Sequence, residues 1–197
     1  EFIPLMTSED EEALEKENLP EVLPILPLTN TVLFPGVVIP INAGRDKSIK
    51  LINDANKSNK LIGVVSQKDI KIENPSIEDM YSVGTVAKIL RVLKMPDGNT
   101  TVIIQGKKRF KIKSVVKTDP YIQATISSLP DKNQRKSNNK FTATIDAIRD
   151  IALKIIKENP NIPSEASFAI KNIHSSSFLI NFVSVSYTHL RAHETYT

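Results

Sequence analysis

The chain has 197 residues, 40% of them hydrophobic and 24% charged, which is the profile of a globular protein long enough to bury a real core. It has no cysteine, and this excludes disulfides, thiolate metal sites and cysteine nucleophiles. The net charge of +4 is unevenly spread: residues 1–21 carry eight acids and one base, a net −7, so the rest, with 25 bases and 14 acids, is +11.

In chain order, residues 1–21 read as an acidic solvated arm, attracted weakly to the basic body through a field that salt screens. No secretory signal is in view, but the first residue is Glu1 rather than Met, which is consistent with a start that lies upstream. Residues 22–130 hold short runs of Val, Ile, Leu and Thr broken by Pro, Gly, Asn and Asp, a β-rich pattern. Strands are predicted at 22–28 and 32–41. Their prolines, Pro24, Pro27, Pro35 and Pro40, cannot donate ladder hydrogen bonds, which places these strands at edges or bends. The run 32–41 is also far short of the roughly 20 residues that span a bilayer. Residues 46–57 form a predicted helix with Ile49, Ile52 and Ala55 on one stripe and Asp46 as its N-cap. Further strands follow at 61–66, 83–95, 99–106, 109–116 and 121–129. Met95-Pro96-Asp97-Gly98 is a hairpin signal, and Gly106 permits a bulge or sharp bend.

Residues 131–140 contain no apolar side chain and read as a linker. In the helical stretch 141–184, Phe141, Ile145, Ile148, Ala152 and Ile155 share one helix face, which Asn159-Pro160 ends. Ser164 is a predicted N-cap for a second helix. Phe168, Phe178, Leu179, Ile180 and Phe182 give this end an apolar surface that a continuation of the chain would bury. Residues 185–195 resemble translated sequencing-adapter sequence, so 185–197 is expected to be non-native and is kept out of functional reasoning. His189 and His193, at i,i+4 spacing, fall inside it. His174 is then the one native histidine, a surface or turn residue.

The expected fold is α+β: a small, closed or nearly closed β-barrel of about six strands with one inserted helix, followed by a helical subdomain. The six glycines open neither a phosphate-cradling loop nor a dinucleotide fingerprint, and there is no His-Glu-x-x-His or Gly-x-Ser-x-Gly. Glu78-Asp79 reads as a turn face rather than an acid/base pair. No catalytic residue and no metal ligand is assigned. Arg109, Lys111 and Lys113 alternate with Phe110 and Ile112, so one strand face is cationic and the other faces the core.

Leu23-Pro24-Ile25-Leu26-Pro27-Leu28, then Val32-Leu33-Phe34-Pro35-Gly36 and Val38-Ile39-Pro40, resemble the N-terminal domain of Lon, the ATP-dependent serine protease. The likeness continues through Gly44-Arg45-Asp46-Lys47-Ser48-Ile49, Tyr81-Ser82-Val83-Gly84-Thr85-Val86-Ala87, Leu93-Lys94-Met95-Pro96-Asp97-Gly98 and Ile104-Gln105-Gly106-Lys107-Lys108-Arg109-Phe110. One departure is Thr29-Asn30, where that family commonly has a base and then an acidic or amide residue. The resemblance implies a PUA-like barrel over 22–130 followed by helices. It also implies a cytoplasmic fragment that recognises unfolded or tagged polypeptides and supports hexamer assembly with other Lon subunits. No enzyme activity is implied for this stretch itself. ATP, magnesium and the Ser-Lys proteolytic dyad would belong to downstream modules.

Holding an unfolded chain requires accessible apolar surface. Phe34, Met80 and Met95 are the candidates, with Arg45, Asp46, Lys47 and Lys50 as charges that steer a substrate or a neighbouring subunit. The alternative is a nucleic-acid-binding module using the basic face of Arg109, Lys111 and Lys113, or a stand-alone protein of the same domain type.

Overall fold

The computed structural model describes residues 19–95, 100–129, 139–159, 162 and 165–194. Its strands are β1 (Val22–Leu28), β2 (Val38–Ala43), β3 (Leu61–Ser66), β4 (Val83–Lys94), β5 (Thr100–Lys117) and β6 (Gln123–Ser128). They form one sheet in the order β2-β5-β4-β3-β1-β6, and β5 also pairs with β6. That extra pairing closes a five-stranded ring, with β2 attached to β5 as an edge strand. The small barrel read from the sequence is present.

The prolines of β1 do not put it at an edge. Val22–Pro24 pair antiparallel with β6, and Ile25–Leu28 pair parallel with β3. The strand changes partner halfway, so Pro24 and Pro27 each face a ladder on one side only. β2 behaves as predicted: it pairs with β5 alone and its Pro40 is exposed. It starts at Val38 rather than at 32, because the preceding residues form a loop with Gly36 at φ 81°.

A parallel β1–β3 pair needs a long crossover, and helix α1 (Asp46–Lys57) lies within it. Leu51, Ile52 and Ala55 are buried and Ile49 is half-buried, close to the predicted stripe. The cap differs. Arg45 holds the N-cap position without a side-chain bond to the helix's amides, and Asp46 is already in the first turn. There its charge favours the helix N-terminus without closing an amide.

β5 is one 18-residue strand where two were predicted. The supposed break is a bulge: Thr85 pairs with Arg109 but Ala87 with Gly106, so β5 carries one extra residue beside Gly106. Gly106 is required for a second reason. Its N–H donates to Val37 O and its carbonyl accepts from Gly36, both at 2.9 Å, which presses the 34–37 loop onto it. A Cβ there would lie 2.2 Å from the Phe34 carbonyl oxygen. The turn at 96–99 lies outside the described residues, but the β4–β5 pairing reaches Lys94 and Thr100.

Two apolar clusters fill the molecule. One holds Leu23, Ile25, Val65, Met80, Val86, Phe110, Ala124 and Ile126 around the fully buried Phe110 ring. Gly84 makes room for that ring, since a Cβ would sit 2.9 Å from it. The other runs from the opposite half of the barrel, through Leu33 and Val37, into the helices. Those helices are α2 (Asn139–Glu158), α3 (Glu165–Asn172) and α4 (Ser176–Glu194), and α4 includes the adapter-like residues to 194. Phe178 and Leu179 are buried, Ser175 Oγ accepts from Phe178 N at the start of α4, and Asn181 donates to Pro35 O at 3.2 Å. Ser164 lies outside the described residues.

The packed stripe of α2 is rotated from the predicted one. Ile145 and Ala152 are buried, Ile156 is half-buried, and Ile155 is 47% exposed. At roughly 100° per residue, Ile155 sits at the edge of the expected stripe, and the contact centre lies on its other side, toward Arg149. Arg149 donates to the carbonyls of Ile170 and Ile173, closing the C-terminal end of α3. Ile151, Ile155 and Phe168 are left outward-facing.

Gly106→Ala is expected to cost about 1–3 kcal/mol or more in urea unfolding, because backbone must move to admit the methyl group. A loss under about 0.5 kcal/mol would show that the loop does not lie against this glycine.

Candidate functional site

The outer face of β2-β5-β4 is the strongest candidate for holding another chain. Ile103 of β5 pairs with Pro40 of β2 on one side and Arg91 of β4 on the other, and Thr101 pairs with Asn42 and Leu93. Alternation sends Ile39, Ile104 and Ile89 into the core and turns these residues outward. The 2.8 Å hydrogen bond from Thr101 Oγ1 to Asn42 Oδ1 fixes that shared face. Leu90 is the extra residue of a bulge between the Ile89–Ile104 and Arg91–Ile103 pairs, and it is 45% exposed. Leu93 is 38% exposed, Met95 beyond it 45%, and Ile103 is half-buried. Together, Pro40, Leu90, Leu93, Ile103 and Met95 make an apolar surface on the sheet. Lys88, Arg91 and Lys94 are exposed along the same strand, and the three strands contain no acid.

The residues predicted from sequence do not form one site. Met95 belongs to this face. Met80 does not: it is 2% exposed, because an isolated bridge to Gln67 pulls it into the Phe110 cluster. Phe34 is half-buried against the larger core. Arg45 and Lys47 line a pocket of about 210 Å³ together with Ile25, Leu51, Pro75 and Tyr121. Asp46 and Lys50 are exposed and do not line it. Sequence reasoning missed Pro40, Leu90, Leu93 and Ile103 as a group. Alternation could have turned each outward, but only strand adjacency brings them together.

Beside that pocket, the 67–80 connection is held by side chains. The buried Gln67 amide donates to Asp69 O at 2.5 Å and Ile72 O at 2.6 Å, while its oxygen accepts from Arg45 at 3.1 Å. Asp79 accepts from both Oγ and N of Ser76, which confirms the turn role expected of Glu78-Asp79. Those bonds, side chain first and then backbone, hold the Asp79 carboxyl below the usual range, and Lys68 adds to the effect. Tyr121 donates to Asp54 at 3.2 Å, and burial, reinforced by the Asp54 charge, raises its phenol.

On the far half of β5, Arg109, Lys111 and Lys113 are exposed and Phe110 is buried, so the cationic row is present as predicted. Beyond it the alternation fails. Lys113 and Val116 are extra residues in the β5–β6 register, and Val115 and Val116 face solvent. Tyr81, 56% exposed, precedes the Val83–Lys111 pair, so an aromatic stands at the row's edge after all. His174 lies exposed between α3 and α4.

The ring with its helical annex matches a solved N-terminal domain of Mycobacterium avium complex Lon protease (TM-score 0.65, 20% identity, 82% of this chain and 80% of that one), which shows the fold of a Lon N-terminal domain. The family model for the ATP-dependent protease La (LON) substrate-binding domain matches residues 22–192. The Lon protease of Flavobacterium johnsoniae is 64% identical over 184 residues, covering 93% of this chain and 22% of that protein. That of Cytophaga hutchinsonii is 50% identical over 184 residues, with 93% and 23% covered. The chain belongs to the Lon substrate-binding domain family, and it spans under a quarter of the length of these relatives. Among the described residues no helix is long and apolar enough to cross a membrane.

The lowered Asp79 pKa makes its turn pH-sensitive. The contacts stabilise above the unfolded value of about 4 and are lost as pH falls through the lower folded value. In an NMR titration the Ser76 amide is expected to shift with a midpoint below that of an ordinary aspartate, and Asp79→Asn to remove that response. A Ser76 midpoint at or above the ordinary aspartate value would contradict the bonding.

Proposed function

We propose that this chain is the polypeptide-recognising end of a Lon-type, ATP-dependent serine protease, and that it holds unfolded or damaged proteins on the outer face of β2-β5-β4. The observation that carries the reading is the row of Pro40, Ile103, Leu90 and Leu93, apolar and outward on a sheet with no acid to oppose it. Apolar burial is non-directional, so such a face accepts many sequences. β2 adds an edge along which an extended chain can lie, with Pro40 removing one donor and moderating that pairing. Covering roughly 300 Å² of apolar area would contribute about 7 kcal/mol, most of it offset by ordering the captured chain. One domain therefore holds weakly, which lets a motor pull the substrate away.

Weak sites become effective when several act at once. Assembly with other Lon subunits into a hexamer, in the cytoplasm, would supply that multivalency. Proteolysis by the Ser-Lys pair, and ATP with magnesium, belong on this reading to modules downstream of this stretch. The pocket at Arg45 and Lys47 is a secondary contact for a side chain, too small for a nucleotide-sized ligand.

Leu90→Ser with Leu93→Ser is expected to weaken binding of an unfolded casein by about fivefold or more, with a stability loss of about 1–3 kcal/mol that leaves the chain folded, since each side chain is still more than half covered. Raising salt from 0.1 to 0.5 M should alter the affinity only slightly. Unchanged casein binding by the double variant would overturn the site, and a steep salt slope abolished by Lys111→Glu would favour the nucleic-acid-type cationic row instead.

A further inference from the structure

Two hollows meet at the start of α1. One is the pocket of about 210 Å³, whose walls include Ile25, Leu51, Pro75 and Tyr121. The other, of about 400 Å³, is lined by Thr29, Thr31 and Asn42 and reaches Pro40 of β2. Pro27, Arg45 and Ser48 line both, so the hollows adjoin there. The first is smaller than the roughly 300–1,000 Å³ of a drug-sized site, and it suits a single apolar side chain.

The junction carries the groups that hold a small anion. Arg45 donates to Gln67 Oε1 at 3.1 Å, and Gln67 is itself fixed by its bonds to Asp69 O and Ile72 O. The guanidinium is thereby oriented, while its other donors have no partner among the described residues. Ser48 is only 8% exposed, yet its hydroxyl has no hydrogen-bond partner among the described residues. No side-chain polar atom sealed from solvent lacks a partner there, so this hydroxyl opens onto the space that Ser48 lines. The first intrahelical bond of α1 runs from Ile49 N to Arg45 O at 2.9 Å. The amides of Asp46, Lys47 and Ser48 precede it, and the N-cap side chain does not close them. Lys47 adds an exposed cation to the pocket wall, and Glu73, also exposed, is the one acid among the lining residues. Two cations and a helix N-terminus against one acid favour a single negative charge.

An apolar cup with a carboxylate-binding lip matches the end of a polypeptide. There the α-carboxylate lies beside the last side chain, and both can be satisfied at once. An internal Asp or Glu carries its carboxylate on the side chain itself, which leaves nothing to fill the cup. The adjoining hollow gives the preceding residues a path toward β2.

We propose that the pocket at the start of α1 reads the carboxyl end of a polypeptide: an apolar last side chain enters the cup, and the α-carboxylate lies against Arg45, Lys47 and Ser48. The proposal rests on the reading of this chain as polypeptide-recognising, but not on the outer face of β2-β5-β4. It adds what that face lacks, a contact that fixes the direction of the bound chain.

The peptide Gly-Ser-Gly-Ser-Gly-Ser-Gly-Leu, titrated into the 197-residue chain and followed by NMR, tests it. The amides of Lys47 and Ser48 and the methyl groups of Ile25 and Leu51 are expected to shift together. Amidating the peptide's carboxyl end should weaken binding about tenfold or more, since charge-assisted bonds are lost. Replacing its Leu by Ser should weaken binding about fivefold or more. Lys47→Glu and Arg45→Gln should each weaken it about threefold or more. Lys57→Glu, exposed at the other end of the same helix, should leave it unchanged. Sodium decanoate, an apolar carboxylate with no peptide behind it, should bind more weakly than the peptide. Equal affinity for acid and amide, decanoate binding tighter than the peptide, or affinity unaltered in both Lys47→Glu and Arg45→Gln would overturn the proposal. Unfolded casein bound by the same sample separates the two readings: acid and amide binding alike while casein is still held would overturn the pocket alone.

Discussion

Closure of the ring through β5 is the constraint on which the rest of the molecule depends. One 18-residue strand pairs with β4 along most of its length, with β2 at its start and with β6 at its end. A strand that long twists by itself, and bulges beside Gly106 and at Lys113 add local bends along it. A single strand thus contributes to two outward surfaces of different character, one with exposed apolar side chains beside β2 and one dominated by cations beside β6.

Much of this architecture was legible in the sequence. β1, β3 and α1 have the predicted bounds, because short apolar runs there are fenced by Pro, Gly and Asn. The resemblance to Lon supplied the domain type and directed attention to substrate holding. What failed did so for identifiable reasons. The bulge expected at Gly106 is present, but the division into strands 99–106 and 109–116 is not, since a bulge and a loop share the same residues until the partner strand is known. The prolines of β1 read as marks of an edge or a bend, since the sequence does not reveal that a strand can exchange partners halfway.

Site residues were harder to read than elements. Met80 looked available as a flexible apolar side chain, yet a bridge to Gln67 carries it inside. Arg149 gave no signal in the helical pattern, although it joins α2 to the end of α3. Pro40, Leu93 and Ile103 lie on three different strands, and only the register places them together. The outward Ile151, Ile155 and Phe168 mark a second apolar area, on the helices, while Phe178 and Leu179, expected on an apolar surface, are buried within the chain itself.

The central claim is that polypeptide is held on the outer face of β2-β5-β4. Methyl NMR of the chain, titrated with a permanently unfolded casein, tests it most directly. The account predicts that the methyl signals of Leu90, Leu93, Ile103 and Met95 shift together, while those of Val116, Ile151 and Ile155 stay in place. Shifts confined to Ile151 and Ile155, or to Val115 and Val116 beside the cationic row, would contradict it.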